Sequence, residues 1–109
     1  MAIDVIINQQ GPLPIKELFN SPGDEPVVLE VNGSVWTQSP NTMIGIQVWI
    51  DGNVVGKAQI FSNTATTHRT VVPAYIQLQL PFGQHTIALT PFPGTVSDVN
   101  DFYTAVIHT

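Results

Sequence analysis

Short apolar runs alternate with polar residues along this chain. Pro, Gly or Asn interrupts them roughly every 8–12 residues, the rhythm of a β-sandwich or barrel. The runs predict strands over 2–7, 15–19, 27–37, 43–50, 54–61, 71–80, 84–90 and 102–109. No longer window shows helical periodicity with caps. Residues 15–19 could close one helical turn, but Pro14 and Pro22 bound them closely. Strands of this number and length predict an all-β fold, a two-sheet jelly-roll β-sandwich of about eight antiparallel strands. It would be one domain over residues 1–109.

Alternation sets which side chains face inward. Ile44, Ile46, Val48 and Ile50 share one face of 43–50, and Met43, Gly45, Gln47 and Trp49 the other. A two-residue loop at Asp51-Gly52 would pair Ile46 with Lys57 and bring a charge into the core. A three-residue loop, Asp51-Gly52-Asn53, pairs Ile50 with Val54 and Ile46 with Ala58. Burial therefore selects the three-residue hairpin, with a residue in the left-handed region and a bulge. By the same test Val72, Ala74, Ile76, Leu78 and Leu80 form one face, which Ile87 and Leu89 join. That needs a hairpin through the loop 81–84, with Leu80 opposite His85. Asn32-Gly33 is the strongest short hairpin signal in the chain. As a hairpin it would put Leu29, Val31, Ser34 and Trp36 on one face, but its second arm is too short to hold. The favoured reading is one strand, with Leu29, Val31 and Val35 inward and Trp36 outward.

This register puts Trp36, Gln47, Trp49, Gln59, Phe61, Tyr75, Gln77 and Gln79 outside. Composition sharpens that picture. Charged residues make up 10% of the chain, against about 25% in an ordinary domain. Surface polarity falls instead to 8 Gln, 7 Asn, 11 Thr and 5 Ser. Neutral polar groups lose less on desolvation than ions do. Such a surface can bury itself against a neutral polar ligand or another copy of itself. The exposed aromatics then have three readings. Their rings stack on the C–H faces of sugars while Gln, Asn and Asp bind hydroxyls; they line a homo-oligomer contact; or one sheet's core has been assigned to the wrong face. Trp36, Trp49 and Tyr75 are the candidates for stacking or subunit contact, with Gln47 beside them.

With 8 acidic and 3 basic residues the net charge is −5, which argues against nucleic acid. No apolar run approaches a membrane span. No signal-peptide pattern opens the chain, so synthesis in the cytoplasm or non-classical release is expected. There is no Cys, which removes disulfides and thiol chemistry. No nucleophile elbow, phosphate loop or dinucleotide fingerprint appears, so a non-enzymatic role is expected. An enzyme would need the fold to bring Asp24 or Glu25 beside Asp98 or Asp101. Asp98, Asn100 and Asp101 concentrate oxygen ligands in one loop, a weak calcium candidate and equally a set of Asx-turns. No other cofactor is indicated. His68-Arg69 is the best single cluster for an anionic or hydroxylated ligand. His85 reads as a hydrogen-bonded rim residue.

The stretch from Ile44 to Gly52, then Gly83-Gln84-His85-Thr86-Ile87-Ala88-Leu89, then Asp101-Phe102-Tyr103 resembles jelly-roll carbohydrate-binding modules. The same hairpin rhythm is similar to C1q/tumour-necrosis-factor-like domains, which form homotrimers. The first resemblance implies a lectin-like carbohydrate-binding module, and the exposed aromatics among neutral polar residues add the expectation that it self-associates. The second implies a structural or assembly trimer, such as a tail-fibre head or adhesion domain. The partners expected are therefore a glycan and a second copy of the chain, with a trimer favoured.

Overall fold

The computed structural model describes residues 2–23 and 25–109. Nine strands follow one another: β1 (Ile3–Gln10), β2 (Ile15–Ser21), β3 (Val27–Val35), β4 (Thr42–Ile50), β5 (Asn53–Ser62), β6 (Arg69–Thr70), β7 (Ala74–Leu78), β8 (Gly83–Pro91) and β9 (Phe102–His108). The first sheet runs β1-β9-β3, with β7 and the short β6 end to end along the far edge of β3. The second runs β2-β8-β4-β5. Every pairing is antiparallel. This is the strand order of a jelly-roll sandwich. Among the described residues no helix is long and apolar enough to cross a membrane.

The two inner faces meet in an aliphatic core. Leu29, Val31, Val35, Ala105 and Ile107 come from the first sheet, and Ile44, Ile46, Val48, Ile87 and Leu89 from the second, all buried. The alternation expected for 43–50 therefore holds. Neither Trp36 nor Trp49 belongs to that core; both are half-buried, and the Trp36 Nε1–H is buried without a hydrogen-bond partner.

Asn32-Gly33 does not turn. β3 passes straight through it and pairs with β9, Gly33 opposite Tyr103.

The β4–β5 hairpin differs in its loop. Asp51 and Gly52 both take positive φ, 51° and 83°, and close a two-residue turn with Ile50 opposite Asn53. This is the tight turn that matches strand twist. A bulge at Val55 of β5, opposite Val48 and Trp49, then shifts the register, so that Val48 meets Gly56 and Ile46 meets Ala58. Keeping Lys57 out of the core thus falls to the bulge, not to a longer loop.

The expected 81–84 hairpin does not form. β7 pairs with β3, whereas β8 pairs with β2 and β4. Leu78 and the Ile87–Leu89 strand belong to opposite sheets, and the 79–82 segment carries the chain across. The expected strand 71–80 also breaks at Pro73. Val71 is buried and Val72 is 62% exposed, the reverse of the expected face. Proline has no N–H for the ladder, and pairing resumes at Ala74 opposite Val31.

Candidate functional site

The predicted site residues fall into three groups. The first is a corner where four segments meet. Beyond β3, Trp36 bridges to Val96 through both backbone bonds, 2.9 and 2.7 Å, and its ring sits 5.7 Å from that of His68. His68 Nδ1 lies 2.6 Å from Asp101 Oδ1, and its Nε2 is 3.8 Å from Asp98 Oδ2. Asp101 is wholly buried. Its Oδ1 also accepts from Ser34 Oγ at 2.7 Å, and its Oδ2 from Asp98 N at 2.9 Å. Asp98 Oδ1 accepts from Asn100 N at 2.8 Å. The last is an Asx-turn bond, and with the two bonds to Asp101 it holds the loop against the start of β9. Arg69 stands opposite Val35 on the inward side of β6. Burial pushes the Tyr103 hydroxyl above the ordinary tyrosine range, and the Asp101 and Asp98 charges add to it.

Ligand atoms of His68, Asp98 and Asp101 all lie within 4.8 Å of one another, close enough to share a cation. Most of their lone pairs are already engaged by hydrogen bonds within the chain. Asp98 Oδ2 and His68 Nε2 are the atoms turned toward each other without a hydrogen bond between them. Calcium takes six to eight oxygens, and the loop presents few that are free. The clustering of the three side chains is itself compatible with the weak calcium candidate read from the sequence. Glu25 lies at the opposite end of β3 from Asp98 and Asp101, so no catalytic carboxylate pair forms between them. Asp24 lies outside the described residues.

The second group is on the outer face of the second sheet. Register sets Lys16, Ala88 and Trp49 in one row across β2, β8 and β4, with Thr90 beside Gln47 in the next. Ala88 is small, so the Trp49 indole has room. Its Nε1–H donates to Thr90 Oγ1 at 2.9 Å. Gln47 is half-buried, opposite Lys57 and Thr90. A groove of about 330 Å³ opens here, lined by Lys16, Trp49, Asp51, Thr86, Ala88 and Thr90 together with Gly52.

Asp51 is fixed at the groove's end. Its Oδ1 accepts from Thr86 N at 2.9 Å, and its Oδ2 is 2.6 Å from His85 Nδ1. The His85 Nε2 points at the Pro81 carbonyl, 2.8 Å away, which bears out its reading as a bonded rim residue. The hydrogen bond with His85 lowers the Asp51 pKa, helped by the one from Thr86. The same pair raises that of His85, first through Asp51 and then through Pro81.

Tyr75 is the third group. It lies on the outer face of the first sheet, 67% exposed, with its hydroxyl 3.5 Å from Glu30 Oε2. The three aromatics thus lie apart, Trp36 at the His68 corner, Trp49 on the outer face of the second sheet and Tyr75 on that of the first. Lys16, Thr86 and Thr90 went unnoticed in the sequence, where each is an ordinary strand residue. Asp51 was visible only as a turn residue.

No protein-family model and no curated protein matches the chain. Among solved structures it is similar to the EclA C-terminal domain, a sugar-binding protein, at 14% identity over 94% of this chain and 73% of that one, with a TM-score of 0.49. It is similar to the carbohydrate-binding module CBM36 in complex with calcium and xylotriose, at 14% identity over 99% and 98%, with a TM-score of 0.46. A third is the CBM36-1 domain of a multidomain xylanase from the hindgut metagenome of Trinervitermes trinervoides, at 11% identity over 99% and 98%, with a TM-score of 0.48. At that distance the likenesses say nothing of the site.

Proposed function

We propose that the protein is a non-enzymatic carbohydrate-binding module whose sugar lies in the groove over Trp49. One observation carries this reading: the Trp49 indole is pinned through its only polar atom to Thr90 and sits in an open groove. A pinned ring loses little freedom when a ligand stacks on it. Its electron-rich face suits the weakly positive C–H face of a sugar ring. Lys16 supplies a hydrogen-bond donor, Thr86 and Thr90 hydroxyls, and Asp51 an acceptor, the chemistry that reads sugar hydroxyls. The lining holds one carboxylate, Asp51, whereas hydrolysis of a glycosidic bond ordinarily uses a pair. Binding without turnover is what this set of groups supports.

The test is calorimetry and a glycan array on neutral oligosaccharides. Trp49→Ala should abolish binding, Thr90→Val should weaken it by about tenfold, the worth of one hydrogen bond, and Trp36→Ala should leave it unchanged. An array on which the native chain binds no glycan, or binding that survives Trp49→Ala, would overturn the proposal.

A further inference from the structure

The outer face of the first sheet is a different surface with a different use. Two adjoining rows cross it. One runs Ile3, His108, Val28, Gln77, and the next Val5, Val106, Glu30, Tyr75. Ile3, Val5 and Tyr75 are 63%, 54% and 67% exposed. Farther along, the face turns neutral and polar, with Asn8, Thr104 and Asn32 in one row. In these rows the charged or titratable side chains, tyrosine apart, are Glu30 and His108, joined Oε1 to Nε2 at 2.8 Å. Lys16 and Lys57 stand on the second sheet, and Arg69 faces inward opposite Val35.

We infer that this face is where two copies of the chain meet, sheet against sheet about a two-fold axis. Clustered exposed Ile, Val and Tyr mark an interaction surface, and the charge pattern selects the occupant. A nucleic acid or an anionic lipid surface needs Lys and Arg, which the face lacks. A strongly basic partner would find one carboxylate, already paired. A second copy brings the same acid and base in reversed order. A two-fold axis then sets the Glu30–His108 pair of one copy across from that of the other, acid over base, while the valines pack between them, the self-complementarity an isologous contact requires. Four strands about 4.8 Å apart and some eight residues long cover about 500 Å² in projection. That is the small end of specific interfaces, so the dimer is weak and reversible.

Sedimentation equilibrium of the full chain, up to about 1 mM, the range of weak association, tests this directly. The native chain should show a reversible monomer–dimer equilibrium. Val5→Glu and Tyr75→Glu should each raise the dimer Kd at least about tenfold, one like-charge contact's worth, with an unchanged circular dichroism spectrum. Glu30→Lys and His108→Glu should each be monomeric alone and associate when mixed. A native chain that stays monomeric, a trimer, a dimer indifferent to Val5→Glu, or charge variants that fail to associate on mixing would each overturn the inference. Trp49→Ala, on the other sheet, should leave the dimer intact, so the sugar reading and this one fail separately.

Discussion

The ring of Tyr103 rests on the backbone of Gly33. A Cβ at position 33 would stand 2.3 Å from Tyr103 Cδ1 and 3.1 Å from Ile46 Cδ1. The two residues are ladder partners, and Tyr103 is wholly buried. The glycine serves close approach within a strand.

Gly33→Ala should therefore cost about 1–3 kcal/mol, the usual penalty of overpacking, read from urea unfolding. In a Tyr103→Leu background the same change should cost less, because the ring it strikes is gone. Equal costs in both backgrounds would assign the glycine another role.

Asp101 should be the most sensitive polar position. Replacing it with Ala strands the Ser34 hydroxyl, the His68 ring and the Asp98 amide at once. Unpaired buried donors cost about 1–3 kcal/mol each when no water replaces the partner. The expected loss is about 3 kcal/mol, a large share of the 5–15 kcal/mol typical of a domain. Chemical denaturation measures it, and a loss near zero would show that water substitutes freely at this corner.

The His85–Asp51 pair makes stability depend on pH at both ends. Imidazolium donates to both Asp51 and Pro81, whereas neutral imidazole donates to one. The His85 pKa is raised, so its contribution is complete below the ordinary value of about 6.5 and fades as pH rises through the folded-state value. The Asp51 pKa is lowered, so its contribution is present above the ordinary aspartate value and fades as pH falls through the lowered one. Asp51 is 44% exposed at its side chain, and screening keeps both slopes shallow. Thermal unfolding followed across pH should show a plateau between the two declines. His85→Gln should remove the alkaline decline, and its persistence would assign that slope elsewhere.

Chelation should leave glycan binding untouched. The groove is built from Trp49, Lys16, Asp51, Thr86 and Thr90, and three of the four carboxylate oxygens of Asp98 and Asp101 already accept hydrogen bonds within the chain. Calorimetry with and without EDTA should give the same Kd. A loss of binding on chelation would move the site to the His68 corner.

Much of the fold was legible in the residues. The alternation through Ile44, Ile46, Val48 and Ile50 marked the inner face of β4, and the charge on Lys57 demanded the Ile46–Ala58 pairing that β5 adopts. The device behind that pairing was not legible, because a bulge and a longer loop give the same register. The neighbours Leu78 and Ile87 also misled. Two apolar strands joined by a short segment look alike whether they pair side by side or face each other across a core.

Of the site, the two tryptophans and the His68 and Asp98–Asp101 clusters were visible as residue types. That His68 meets Asp101, or that Trp49 meets Thr90, was not.

For most strands, β4 above all, position and the inward or outward direction of side chains were settled by the chain alone; around Pro73, where Val71 is buried and Val72 exposed, they were not. Both follow from the two-residue repeat of an extended backbone. The choice of sheet for each strand belongs to the folded whole, and with it the split of Trp36, Trp49 and Tyr75 among separate surfaces and the gathering of Lys16, Asp51 and Thr90 around one indole. Ladder partners are selected by burying apolar faces from segments tens of residues apart, and no local spacing records that selection.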